Sequence, residues 1–210
     1  MPTITIPETP ITIPDPPIKE VEKRYYSIEE YLALEEVAEY KNEYRNGEIV
    51  PMTGTTTNHN EIVTNLCAHL KFALRGQNYR VFLGDVRLWI PRYRQYTYPD
   101  LMIISGDPIY EGTNQTTVTN PFLIVEVLSK STQDYDRGTK FNYYRSIPQM
   151  QEYILIDQYQ FLVEQFAKNA EGKWVLNEYE SENLTVSLQS INFQISMTDI
   201  YEKINFVTEE

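Results

Sequence analysis

Residues 122–128 read FLIVEVL, six apolar positions around one glutamate, Glu126. A run this short and this apolar predicts a strand buried on both faces. QEYILID at 151–157 has the same character. Tyr79–Trp89 alternates in part, and TYPDLMII at 97–104 turns apolar after Pro99, so both segments predict strands. Helical spacing appears elsewhere. Ser27 stands ahead of Glu29, Glu30 and the apolar Tyr31, Leu32 and Leu34. That is an N-cap with an acidic first turn, and it predicts a helix over about 27–38. Ile62, Leu66, Leu70 and Ala73 recur on one helical face, so a helix opens at Asn58 and Gly76 ends it. Arg137–Ile147 reads as a helix stopped by Pro148, and a last short helix covers about 197–203. Asn46-Gly47 is a hairpin-turn signal. Residues 160–167 and 173–180 flank Gly172 as a second hairpin, and 105–120 reads as a polar loop.

The order through the middle is helix, three strands, helix, strand. It predicts an α/β fold with a mixed sheet flanked by helices. The first 22 residues stand apart. ITIP occurs at 4–7 and again at 11–14, and proline removes amide donors and extends its neighbours. A disordered, proline-rich tail over 1–22 is expected ahead of one domain over 23–210.

Charge and composition narrow the class. No apolar run approaches ~20 residues, so no membrane helix is predicted. The start of the chain has neither a basic segment nor an apolar core of the secretory kind, which predicts a cytoplasmic protein. Cys67, the only cysteine, excludes an internal disulfide and reads as a buried structural thiol. The net charge of −12 speaks at first against a nucleic-acid partner. Its distribution changes that picture: residues 1–48 carry −6, 150–210 carry −8, and 49–149 carry +2. A mildly basic centre can still attract a polyanion.

Glu126 lies in that centre. Glutamate is almost never fully buried without a partner. Arg137 or Arg87 would give it a structural ion pair. Asp100, at the start of the apolar run after Pro99, offers a different role. Two carboxylates on adjacent strands suit Mg²⁺, which is held by one or two carboxylates plus waters and substrate phosphate. A lysine would then assist the attacking water, and Lys130 and Lys140 are the candidates. Glu43, ahead of the Asn-Gly turn, and Asp85, two residues from Arg87, are possible additional site acids. His59, at a helix start, could contact phosphate there but reads better as a plain turn residue, and His69 reads as core-facing or solvated. Arg92 and Arg94, interleaved with Tyr93, Tyr96 and Tyr98, would contact phosphate and stack bases, or the rings would cover a sheet edge. Arg137 is a further candidate for phosphate contact.

PD at 99–100, EVLS at 126–129, and DRGTK…YY…IP…EYILID across 136–157, taken in order, resemble the Uma family of restriction-endonuclease-like proteins. That family lies in the PD-(D/E)XK nuclease superfamily. NEYRNGEIVPM from Asn42, H…I…L at 59–66 and DVRL at 85–88 fit the same pattern, so the resemblance covers about 27–165. It implies a restriction-endonuclease-like core, a central mixed β-sheet flanked by helices, with an added β-hairpin. It implies a metal-dependent endonuclease that hydrolyses DNA phosphodiester bonds with Mg²⁺ or Mn²⁺, as a homodimer. On the matching positions Asp100 and Glu126 would bind the metal, with the Val127 carbonyl as a further oxygen. Leu128 stands where the superfamily has its strand lysine. Family members carry the lysine on the following helix, here Lys140, and often have proline at the position of Lys130. Two rivals stand beside this reading. One is a binding module that keeps the fold without turnover, favoured by Leu128 and by the acidic total charge. The other is a hydrolase acting on a different phosphorylated substrate.

Overall fold

The computed structural model describes residues 24–206. The tail expected over 1–22 lies outside them. Helix α1, Ile28–Glu36, starts as its sequence predicts. Ser27 accepts from the Glu30 amide and Glu30 accepts from the Ser27 amide, a capping box. Strands β1 (Asn42–Arg45) and β2 (Glu48–Pro51) are joined at Asn46-Gly47. Both turn residues have positive φ, 47° and 104°, the conformation that this dipeptide tolerates in a two-residue hairpin. Helix α2 covers Thr57–Ala73, capped by Thr56 rather than beginning at Asn58, and buries Ile62, Leu66 and Leu70.

The two segments expected as single strands, Tyr79–Trp89 and 97–104, are each broken between two sheets. The first becomes β3 (Tyr79–Leu83) and β4 (Arg87–Ile90). The second gives β5 (Gln95–Thr97) and β6 (Leu101–Ser105). The breaks have local causes. The amides of Asp85 and Val86 both turn back onto the Leu83 carbonyl, and Pro99 has no amide with which to continue a ladder. The loop expected over 105–120 contributes β7 (Thr117–Val118), which pairs in parallel with β4. The remaining strands are β8 (Leu123–Leu128), β9 (Glu152–Asp157), β10 (Val163–Lys168), β11 (Trp174–Tyr179), β12 (Thr185–Leu188) and β13 (Phe193–Ser196).

The larger sheet runs β11-β10-β9-β8-β6-β3 and the smaller β2-β1-β5-β4-β7. In the larger, β8 and β9 are parallel and every other neighbour is antiparallel. It is a mixed sheet, and the expected hairpin β10–β11 extends its edge. The separate hairpin β12–β13 was not legible in the sequence.

Parallel neighbours need a crossover. Gln133–Tyr135, a π-helical turn at Asp136–Lys140, and Phe141–Tyr144 run on as one helix, α3, over 133–144. It starts four residues before the expected position. Phe141 ties it to the sheet, 4.3 Å from the Phe166 ring centroid and 5.9 Å from that of Tyr153.

Side chains alternate across β8. Leu123, Val125 and Val127 pack with Ile62, Leu66 and Leu70 of α2. Ile124 and Leu128 pack on the other face with Tyr144, Ile147 and Tyr153. Glu126 has the parity of that second face. On β6, Met102 and Ile104 belong to the same face, and Asp100 shares their parity. The register pairs Leu101 with Val125. Continued by one step, it sets Asp100 opposite Glu126.

Candidate active site

The two sheets meet around a cavity of about 440 Å³. Asp100, Glu126 and Lys140 all line it, and Glu43 joins them from the smaller sheet. Asp100 is placed by the chain's passage from β5 to β6. Its Oδ2 accepts the Val127 amide at 2.8 Å and lies 3.1 Å from His59 Nε2. Glu126 is 3 % exposed. Its Oε1 accepts from Lys140 Nζ at 2.9 Å and from the Tyr144 hydroxyl at 2.6 Å. Glu43 accepts from Thr97 and, at 2.6 Å, from Arg45.

Lys140 is thus the partner of Glu126, not Arg137 or Arg87. Arg137 is held by Glu164 at 2.7 Å and by Gln133, and Arg87 donates to Thr117. The lysine is not on a solvated helix face, since its side chain is only 12 % exposed. Asp136, one helical turn back, lies 3.1 Å from the same ammonium, at an angle that is not that of a hydrogen bond. The π-turn carries Asp136 and Lys140 at its two ends. Such turns are rare and are frequent at functional sites.

Lys140 is thus shared by two carboxylates, Glu126 and Asp136, and Asp100 lies near enough to Glu126 to act on its charge. The titration of the groups follows. Burial is the strongest influence on Glu126 and pushes its pKa up to about 8. Asp100 and Asp136 add to the rise, while Lys140 and the Tyr144 hydroxyl oppose it. Burial works against the charge of Lys140, but Glu126, Asp136 and Glu43 outweigh it and hold the amine protonated, well above its ordinary value. Burial likewise raises Glu43, yet Lys140 and Arg45 prevail and leave it below the usual carboxylate range.

A divalent cation fits this arrangement. Asp100 Oδ1 and Glu126 Oε2 accept no hydrogen bond among the described residues, so each carboxylate keeps one oxygen unclaimed. No group of three or more His, Cys, Asp or Glu side chains converges among the described residues. Asp100 and Glu126 together offer the two-carboxylate pattern with which hard divalent cations are held beside water and phosphate oxygens.

Other sequence candidates lie elsewhere. Asp85 pairs with Lys41 on the rim of a second cavity, outside the first. Arg92, Arg94 and Arg137 do not line the first cavity. Arg92 lies over Tyr93, and Arg94, in the left-handed region, reaches toward the Tyr44 hydroxyl. Tyr96 is stacked on Trp89 at 4.1 Å and buried with Tyr31 and Tyr44. Of the two readings of the Tyr93–Tyr98 stretch, cover for the sheet is the one that fits Tyr96. Lys130 lines the same cavity, with its ammonium 5.5 Å from the centroid of the Tyr159 ring.

Sequence reasoning passed over three residues of the site. His59, read as a plain turn residue, is 8 % exposed and bonded to Asp100. Asp136 and Tyr144 sit four residues before and after Lys140. That spacing places all three on one helical face, and it was the signal available.

The fold and this carboxylate–lysine cluster define a restriction-endonuclease-like α/β protein. Residues 28–198 match the model of the Uma2 family, described as "Putative restriction endonuclease", and the chain belongs to that family. Two proteins of Synechocystis, both named only as uncharacterised, are similar to it. sll1609 is 43 % identical over 157 residues, covering 75 % of this chain and 89 % of its own length. slr1290 is 34 % identical over 180 residues, covering 86 % and 93 %. A crystal structure from Anabaena variabilis, titled a putative nuclease belonging to DUF820, has the same fold. Its TM-score is 0.68 at 18 % identity, over 84 % of this chain and 97 % of that one. No helix among the described residues is long and apolar enough to cross a membrane.

Proposed function

We propose that the protein is a cytoplasmic endodeoxyribonuclease that hydrolyses DNA phosphodiester bonds with Mg²⁺ or Mn²⁺. The observation that carries this reading is the pair Asp100 and Glu126, each with an unclaimed carboxylate oxygen, beside a buried ammonium. Asp100 and Glu126 would hold the metal, with the Val127 carbonyl as a further oxygen. Such an ion supplies Lewis-acid polarisation of the phosphoryl oxygen and lowers the pKa of a bound water. Lys140 is held charged, so it acts as an electrostatic stabiliser of the developing negative charge and not as a base. Asp136 and Tyr144 fix its position through the ammonium and through Glu126. Glu43 adds to the field that keeps the ammonium protonated. His59 orients Asp100. The position of Lys140 answers for the Leu128 that stands in place of a strand lysine, and this weighs against the binding-module reading. By the family resemblance two copies pair as a homodimer; a monomer in sedimentation would remove that part.

The test is calorimetry with Mg²⁺ and Mn²⁺, followed by cleavage of a supercoiled plasmid and of an unpaired oligonucleotide with and without chelator. Metal-dependent cleavage of either substrate is the expected result. No metal binding and no cleavage would overturn the reading. The pH dependence has a definite sign. The metal-free site holds a proton on Glu126 below about 8, and a cation must displace it. Metal affinity is therefore expected to rise with pH, by up to about tenfold per unit, and to level off above that value. A flat profile between pH 6 and 8.5 would show that Glu126 is not a ligand. His59→Ala is expected to weaken metal binding about 10- to 100-fold, as loss of a residue orienting a ligand does. Calorimetry at one pH measures it, and unchanged affinity would reduce His59 to a packing role.

A further inference from the structure

The site has features that bear on which form of DNA enters it, and this inference rests on the nuclease reading above. The two carboxylates are recessed: the side chain of Glu126 is 4 % exposed and that of Asp100 20 %. They lie inside a cavity of about 440 Å³, within the range of about 300–1,000 Å³ typical of small-ligand pockets. Segments 52–56 and 129–132 both line it. A duplex is stiff, with a persistence length of roughly 50 nm, and its bases are locked in the stack. An unpaired strand bends freely and can lower one phosphate into such a pocket. Extruding a nucleotide from a duplex costs a few kcal/mol, whereas an unpaired one is already free.

The cavity wall also carries an aromatic platform. Tyr159 is 43 % exposed, and its turn is pinned by its amide donating to Asp157 at 2.7 Å. The Lys130 ammonium lies 5.5 Å from its ring centroid. Deeper in, the Arg45 guanidinium covers the Tyr135 ring at 4.1 Å. Rings paired with cations beside a phosphate-cleaving centre are what binding of unpaired bases requires, because every base has a face to stack and every linkage a charge.

We propose that the substrate is unpaired DNA, a single strand or the overhang of a duplex, with a base beside the cleaved phosphate stacked on Tyr159. The experiment uses one labelled sequence in three forms: single strand, blunt duplex, and duplex with an unpaired overhang. Cleavage is measured in Mn²⁺ under single-turnover conditions on the wild type, Tyr159→Ala and Tyr159→Phe. The expected result is cleavage of the single strand and the overhang at least about tenfold faster than the blunt duplex. Tyr159→Ala should bind the single strand about tenfold more weakly, in line with the loss of one stacked base. Tyr159→Phe should retain wild-type binding. Equal or faster cleavage of the blunt duplex overturns this inference and leaves the nuclease reading standing. So does wild-type affinity of Tyr159→Ala for the single strand. Failure to cleave any of the three forms or a plasmid removes the nuclease reading itself.

Discussion

Lys140→Met is expected to lower stability by about 3–5 kcal/mol, the cost of breaking a buried ion pair by removing one partner. For a domain of this size that corresponds to a fall in melting temperature of roughly 6–20 °C. The cause is specific. Lys140 Nζ is 2.9 Å from Glu126 and 3.1 Å from Asp136, and its removal leaves buried carboxylates with no nearby ammonium. At pH 9, where Glu126 is ionised in the wild type, adding Glu126→Gln to the same chain removes one of the stranded charges. The double variant is therefore expected to melt above Lys140→Met alone, a non-additivity that marks a shared network. Differential scanning calorimetry of the wild type, both single variants and the double variant reads it. Strict additivity would mean that the two side chains do not act on each other. Because an apolar replacement of a buried ion pair is often neutral or stabilising, the network is not what the fold needs for stability, and its presence points to use.

Glu126→Gln is expected to lower metal-dependent cleavage by roughly a thousandfold or more. In the proposed role of metal ligand, its loss forfeits several kcal/mol of charge stabilisation, and each 1.36 kcal/mol is a factor of ten in rate. The fold should survive the change, since an amide oxygen still accepts from Lys140 and from Tyr144. Stability itself carries a second signature. The folded pKa of Glu126 is about 8, above the ordinary value near 4.3 for an unfolded glutamate. Between these values the folded state binds more protons than the unfolded state, so the metal-free wild type loses stability as pH rises through that window. Glu126→Gln should lack that slope. Urea unfolding at pH 5 and pH 8 measures it, and equal slopes in the two proteins would place the titration elsewhere.

The sequence made the centre of this molecule readable because that centre is made of extremes. A glutamate inside an apolar strand, a proline–aspartate pair ahead of another apolar run, and a capped helix are each strong local signals. They marked Glu126 and Asp100 as a pair on neighbouring strands, and the register of β8 with β6 sets them on one face. The partition into two sheets was not legible, because a strand that stops at Gly84 or Pro99 and resumes in another sheet looks like one interrupted strand. His59 was missed because its partner lies 41 residues away, and no local spacing announces a hydrogen bond of that kind. Asp85 misled for the opposite reason. Its closeness to Arg87 in the chain suggested a site edge, but the turn at 84–86 carries it to Lys41.

The π-helical turn in α3 has one more effect. A lysine on β8 itself would stand at a distance from Glu126 fixed by the strand's own backbone. A lysine delivered by the crossover helix has no such tether, and its reach is set by how firmly Phe141 seats against Tyr153 and Phe166. The ammonium is thereby mounted on a part that rests on the sheet without belonging to its ladder. The gap between Lys140 and Glu126 becomes a gauge of the aromatic packing under the helix, and slack introduced there is felt at the carboxylates without any of them being touched.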